Sequence, residues 1–285
     1  MADTPNSLVS TQWLDDHLND PNVIVLDASK HLSAANRNPR AEFETAHIPS
    51  ARYLDLDTLT DKDSSVPAAL PTSDQVAQRL SEVGAAFGNT IVLYDDSAVK
   101  TSARAWFALT VNGVANVSIL DGGLAKWRTE GRRLEAGASE AVPVSPMALA
   151  PLSRVRSKAD MLANLDTYEK QVLDARGADR VFGHGIDPVH GGQNGRIPGA
   201  LNLPFGKVFR EDGTYHSADK LRHLFASEAG VDLGRPIITS CGSGVTASVL
   251  LFALHLAGHD TAALYDGSWQ EWEADPHTPK QQGPA

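Results

Sequence analysis

The chain has 285 residues, 42% of them hydrophobic and 21% charged, a composition that suits a soluble globular protein with room for two ordinary domains. A formal net charge of −10 opposes generic binding to nucleic acid or to an anionic membrane, while saying nothing about a local basic pocket. The lone cysteine, Cys241, excludes an internal disulfide, so the fold does not depend on an oxidising compartment. The start, MADTPNSLVSTQWLDDHL, lacks the basic stretch and apolar core of a secretory signal, and no apolar run is long enough to cross a bilayer. A cytoplasmic location is expected.

In chain order, NVIVLDA (22–28) is a short apolar run, SDQVAQRLSEVG (73–84) has helical spacing, NTIVLYD (89–95) is apolar again, TSARAWFALTVNG (101–113) is helical and VSIL (117–120) is apolar. The stretch EAGASEAVPVSPMALAPLSR (135–154) is rich in Pro, Ala and Ser and breaks the periodicity, so it reads as a linker. Beyond it the alternation resumes with QVLDA (171–175), SADKLRHLFASEAG (217–230), RPIITS (235–240), GVTASVLLFALHLAG (244–258) and TAALYD (261–266). Short apolar runs alternating with helices predict an α/β fold, a mostly parallel sheet flanked by helices.

The two halves also repeat in sequence. Asp27 in VIVLDAS and Asp174 in QVLDAR lie 147 residues apart, Ile48-Pro49 and Ile197-Pro198 lie 149 apart, and LDGGLAKW (120–127) matches YDGSWQEW (265–272) at 145. Three motif pairs in one order at nearly one offset indicate a tandem duplication of a unit of roughly 120–140 residues. The expected organisation is domain one over 1–134, a linker over 135–154 and domain two over 155–285.

The segment RPIITS-CGSGVTAS-VLLFALHLAG carries the chemistry. It puts Cys241 at the carboxyl end of a strand, with a helix beginning near Val245. The first N–H groups of a helix lack intrahelical partners and its dipole favours negative charge there. Gly242 and Gly244 permit a sharp loop that turns several N–H groups toward one point. A cysteine in such a nest is expected to react as its thiolate at neutral pH, whereas a cysteine merely buried in an apolar run would be inert. A phosphate-handling cysteine loop would need an arginine at its far end, and that position is Ala247, which disfavours phosphatase chemistry.

The loop CGSGVTA, the two Ile-Pro motifs, the LDGG and YDGSW motifs and the tandem arrangement together resemble the two-domain rhodanese family, over essentially the whole chain. The loop is similar to that of members acting on mercaptopyruvate. The resemblance implies two tandem rhodanese-like domains and a sulfurtransferase in which Cys241 becomes a persulfide and passes its sulfur to a thiol, a thioredoxin-like protein or cyanide, without a cofactor. Asp95 stands opposite Cys241 when NTIVLYD is aligned with RPIITSC, so domain one is expected to be a catalytically inactive copy.

By the same resemblance Arg180 is expected to bind the donor's anion, with the loop residues Gly242, Gly244, Val245 and Thr246 lining the substrate site. Ser243 and Asp57 match two members of a Ser-His-Asp relay; Ser243 could equally donate a simple hydrogen bond to substrate or sulfur. The histidine of that relay falls on Ala68, and a second anion-binding arginine falls on Val189. His190 or His184 stands near the lost arginine, and Arg196 replaces the usual histidine before the second Ile-Pro. Arg176 reads as structural, paired with a carboxylate beside the strand that it ends. Trp106, Trp127 and Trp272 read as packing residues, and His255 and His259 have no metal-ligand spacing. The alternatives are a thiosulfate:cyanide sulfurtransferase and a non-catalytic persulfide carrier.

Overall fold

A computed structural model of the chain describes residues 7–139 and 141–283. It divides into two compact units. One comprises the described residues up to Asp61 with Leu70–Leu152 and Glu211–Tyr215; the other comprises Lys62–Ala69, Ser153–Arg210 and the described residues from His216 onward. Each contains one five-stranded parallel sheet flanked by helices.

The first unit runs β1 (Leu8–Val9), α1 (Thr11–His17), β2 (Val23–Asp27), α2 (Pro39–Thr45), β3 (Arg52–Tyr53), α3 (Ser73–Glu82), β4 (Thr90–Tyr94), α4 (Thr101–Val111), β5 (Val117–Leu120) and α5 (Gly123–Thr129). The second runs β6 (Val155–Arg156), α6 (Lys158–Thr167), β7 (Gln171–Asp174), α7 (Ala178–Phe182), β8 (Leu201–Asn202), α8 (Ala218–His223), β9 (Ile237–Ser240), α9 (Val245–Leu256), β10 (Ala263–Tyr265) and α10 (Ser268–Ala274). The strand orders, β1-β5-β4-β2-β3 and β6-β10-β9-β7-β8, are the same permutation, so the duplication seen in the motifs is also a duplication of topology. Strands buried on both faces need no polar side, which is why β4 is almost wholly apolar and buried; β9 is buried throughout, its Thr239 and Ser240 included.

Local signals fix the helix ends. Thr72 and Gln75 form a reciprocal capping box on α3, Ser157 and Asp160 form one on α6, and Asn38 caps α2 ahead of Pro39. Helix α9 is different: Ala247 through Leu254 are all buried, so it belongs to the core rather than to a surface face. The segment read as a linker does not hang free. Glu135 and His47 exchange backbone hydrogen bonds, and the Leu152 N–H donates to the Val111 carbonyl at 2.6 Å, so both ends of this stretch are tied to the first unit. Among the described residues no helix is long and apolar enough to cross a membrane.

Register places the site. In the second sheet Asp174 pairs with Ser240, and the Ala175 N–H donates to the Ser240 carbonyl at 2.8 Å. The residues that follow, Arg176 and Cys241, therefore leave the carboxyl ends of adjacent strands side by side, where parallel sheets hold their ligands. In the first sheet Asp27 pairs with Tyr94, and the Ala28 N–H donates to the Tyr94 carbonyl at 2.8 Å.

The aspartates that end β2 and β7 have opposite surroundings. Asp174 pairs with Arg176 at 2.7 Å, whereas Ser29 occupies the matching position beside Asp27. Burial pushes the Asp27 carboxyl up to about 6, only partly relieved by hydrogen bonds from Ser29. Above the ordinary carboxylate range and up to about 6, the native state keeps a proton that the unfolded chain has released, so this contribution to stability is lost as pH rises through that window. Asp27→Asn is accordingly expected to raise the unfolding free energy by about 1–3 kcal/mol at neutral pH and by little near pH 4. Equal effects at the two pH values in thermal denaturation would contradict the assignment.

Candidate active site

The junction of β9 and α9 holds Cys241, which is 2% exposed. Its sulfur accepts a hydrogen bond from the Gly244 N–H at 3.1 Å. Gly244 sits at φ +82°, in the left-handed region that aims this amide back toward the sulfur before the helix begins. Helix α9 opens with its unpaired amides and positive dipole end at the loop. Cys241, Gly242 and Gly244 are buried, while Ser243, Val245 and Thr246 are partly exposed, so the outer face of the loop is open to a small molecule.

The loop is held from beneath by residues that sequence reading did not single out. The Ser268 hydroxyl accepts the Cys241 N–H at 3.1 Å and donates to the Tyr265 carbonyl at 2.9 Å. The Trp269 and Gln270 N–H groups donate to the carbonyls of Cys241 and Gly242, each at 2.9 Å. Ser268 achieves this at φ +51° with its side chain fully buried. The equivalent residue of the first unit is Gly123, at φ +58°. The only sequence signal was the second repeat's change from Gly-Gly to Gly-Ser within the LDGG and YDGSW motifs.

Two guanidinium groups and one carboxylate stand beside the loop. Arg176, 1% exposed at its side chain, pairs with Asp174 and donates to the Gly195 carbonyl at 2.6 Å, as its structural reading anticipated. Its Nη1 stands 3.7 Å from Asp187 Oδ2, so Arg176 is ion-paired on both sides. Arg180, on α7, donates to Asp187 Oδ2 at 2.7 Å. The Asp187 side chain is fully buried; burial alone would raise its carboxyl, but the Arg180 hydrogen bond and the Val189 N–H outweigh that and hold it below its ordinary range. Sequence reasoning missed Asp187 because nothing in the HGID stretch marks it as a partner for a helix residue seven positions earlier.

The loop 183–195 folds over this pair, with the Asp187 N–H donating to the Gly192 carbonyl at 2.6 Å and the Trp269 indole N–H donating to the Gln193 carbonyl at 2.9 Å. This places His190 against the cysteine loop: a Cβ on Gly242 would lie 2.0 Å from His190 Nε2. Burial, then the charges of Arg180 and Arg176, push His190 below the ordinary imidazole range against the opposing pull of Asp187. Val189 is exposed.

Other residues singled out in the sequence lie elsewhere. His184 hydrogen-bonds Gln282 at 3.1 Å. Arg196 is 1% exposed; it donates to the Gly283 carbonyl at 2.6 Å and stacks on Phe182 at 4.7 Å, anchoring the carboxyl-terminal segment. Asp57, in the first unit, is an exposed partner of Lys30 at 2.7 Å, and Ala68 occupies left-handed backbone at φ +53°. His255 pairs with Asp260. Among the described residues no group of three or more His, Cys, Asp or Glu is placed to hold a metal ion.

The first unit contains the same junction with different contents. Asp95 follows β4 as Cys241 follows β9, and its carboxylate accepts the N–H groups of Ser97 and Ser102, both at 2.8 Å, the latter from the first turn of α4. A carboxyl side chain thus takes, in the first unit, the amides at the junction where the second unit carries a sulfur.

The position of Ser268 yields a prediction. Ser268→Gly relieves left-handed strain of about 1 kcal/mol while forfeiting two hydrogen bonds each of similar worth, so the unfolding free energy should fall by about 1 kcal/mol. The released Cys241 amide should nonetheless slow alkylation of Cys241 by iodoacetamide several-fold; an unchanged rate would show that Ser268 does not position the loop.

A family model described as Rhodanese-like domain matches residues 10–130 and 157–275. The 3-mercaptopyruvate sulfurtransferase of Escherichia coli K12 is 37% identical over 267 residues, covering 93% of this chain and 94% of its own. The thiosulfate sulfurtransferase of Cricetulus griseus is 33% identical over 286 residues, covering 97% and 96%. The crystal structure of SseA from Escherichia coli, a 3-mercaptopyruvate sulfotransferase by its own description, superposes with a TM-score of 0.83 at 36% identity, covering 93% of this chain and 99% of that one.

Proposed function

The chain belongs to the rhodanese family and is a sulfurtransferase, and we propose that it takes sulfur from a mercaptopyruvate-like donor onto Cys241 and passes it to a thiol, a thioredoxin-like protein or cyanide in the cytoplasm. The observation that carries this reading is the sulfur at the β9–α9 junction, which receives the Gly244 amide at 3.1 Å. That amide and the open end of α9 offset the negative charge of a thiolate before transfer and of a persulfide after it.

The Cys241 thiolate attacks the donor's outer sulfur and the carbon–sulfur bond breaks, its electron pair leaving on carbon. The acceptor's nucleophile then attacks the terminal sulfur of the persulfide and the thiolate of Cys241 leaves. Arg180 supports the donor's carboxylate from α7, oriented by Asp187, because a guanidinium fork matches two carboxylate oxygens. Ser243, Val245 and Thr246 form the partly exposed side of the loop that the donor meets, with Gly242 and Gly244 keeping the main chain close to it. Ser243 donates a hydrogen bond in this scheme; Asp57 would complete a relay only through a histidine, and its expected position is Ala68.

A thiosulfate donor is the second reading, favoured by the thiosulfate sulfurtransferase of Cricetulus griseus among the relatives. Parallel turnover with both donors separates them: faster sulfur transfer from thiosulfate would reverse the choice. Steady turnover with a small thiol would exclude a stoichiometric carrier.

Intact-mass measurement after mixing with donor should show a gain of one sulfur atom in the wild type and none in Cys241→Ser; retained turnover by that variant would sink the mechanism. Arg180→Ala should raise KM for carboxylate donors about 10- to 100-fold, the worth of a charge-assisted hydrogen bond. Its unfolding midpoint should also fall, because Asp187 loses its partner. A loss equal for carboxylate and carboxylate-free donors would show that Arg180 serves Asp187 alone.

A further inference from the structure

Within the second unit one titratable ring lies against the cysteine loop and has no part in the scheme above. His190 Nε2 and Cδ2 would come within 2.0 and 2.4 Å of a Cβ at Gly242, so the imidazole fills the space where residue 242 would carry a side chain, next to Cys241. The His190 backbone N–H donates to Asp187 Oδ1 at 3.4 Å, which fixes the turn that presents the ring. The charged groups that face it are Arg180 from α7, Arg176 after β7 and Asp187 from its own loop, with Gly242 of the cysteine loop against the ring; Glu273 of α10 holds the other side of the same turn through the Gln193 N–H at 3.1 Å. Burial and the two guanidinium groups keep the ring neutral at neutral pH, with one N–H and one free lone pair. His184, the other histidine of this stretch, is turned to Gln282 instead.

Sulfur transfer from a mercapto-keto acid creates a proton problem at this spot. When the carbon–sulfur bond breaks, the electron pair left on carbon forms an enolate that needs a proton, while the donor's own S–H must lose one for the persulfide to end as an anion. We propose that His190 carries that proton. Its lone pair takes the proton from the donor's thiol as Cys241 attacks the sulfur, and the resulting imidazolium returns it to the enolate carbon. The S–C bond is exchanged for the new S–S bond of the persulfide, the keto acid leaves with a new C–H bond, and the histidine ends neutral, so atoms and charge balance without a further reactant. The proposal rests on the persulfide reading and adds to it the group that manages the proton.

Thiosulfate supplies the contrast, because its S–S bond breaks onto sulfite and no carbon is protonated. Single-turnover sulfur uptake by Cys241 is followed by intact mass, with keto-acid release measured in parallel, for wild type and His190→Gln. With 3-mercaptopyruvate the variant should be slower by roughly 100-fold, the range of general acid–base catalysis, and should lose the acidic limb that the wild type shows below the ordinary imidazole range. With thiosulfate it should match the wild type within about twofold. If thiosulfate is not a donor, an unchanged rate of Cys241 alkylation reports that the loop is intact. Equal loss with both donors, or slowed alkylation, would reduce His190 to support for the loop, and full activity with 3-mercaptopyruvate would remove it from the reaction. If wild-type Cys241 gained sulfur from neither donor, the persulfide reading itself would fall, a result separate from any behaviour of the variant.

Discussion

The pairing of β7 with β9 sets Asp174 opposite Ser240, and from this register the rest of the site follows. One residue beyond the pair, β9 delivers Cys241; two beyond, β7 delivers Arg176. A slip of one residue would turn every side chain of the strand to its other face. The register is secured because four residue pairs join two largely buried strands, and because the Ala175 amide closes one more hydrogen bond past the end of β7. The loop after β9 can then turn sharply at Gly244, whose amide meets the sulfur as α9 begins.

The duplicated first unit shows what the same backbone does with other side chains. At its junction a carboxylate, Asp95, accepts two amides that include one from the first turn of α4. The same junction is therefore seen twice, once with a carboxylate that accepts two amides and once with a sulfur that accepts one. The supporting residue changes as well: Gly123 accepts the left-handed turn without strain, while Ser268 adopts it and adds the hydroxyl that holds the Cys241 amide. Strain of this kind persists where the surroundings over-determine the conformation, and here the surrounding bonds to Tyr265 and Cys241 do so.

Charge in the 183–195 loop is arranged by burial rather than by number. Asp187 takes the Arg180 fork in a fully buried position, which orients the guanidinium but also neutralises part of it. With Val189 on the surface of the same loop, the buried side of the loop presents the Asp187-bound Arg180 guanidinium and the His190 ring. Such a pocket relies more on oriented hydrogen bonds than on net positive charge, in keeping with a chain whose overall charge is −10.

The sequence by itself determined the two-fold repeat, the parallel α/β class and the cysteine at a strand-to-helix junction, because these depend on local periodicity and on glycines at fixed spacing. It also exposed the vacancies at Ala68 and Val189. It did not disclose the two-residue strands β1, β3, β6 and β8, which are too short to carry a pattern and form only because a longer neighbour offers a free edge. Nor did it disclose Ser268, Asp187 or the place of His190, since each meets Cys241's loop or Arg180 across a turn whose course is set by packing. Arg196 shows the same limit from the other side: beside the Ile-Pro motif it read as a positive charge of unknown use, and the fold sets it against Phe182 and the Gly283 carbonyl. Spacing along a chain fixes which element a residue belongs to, whereas the partner of a buried polar group is decided by which elements come together, and that is a property of the tertiary structure alone.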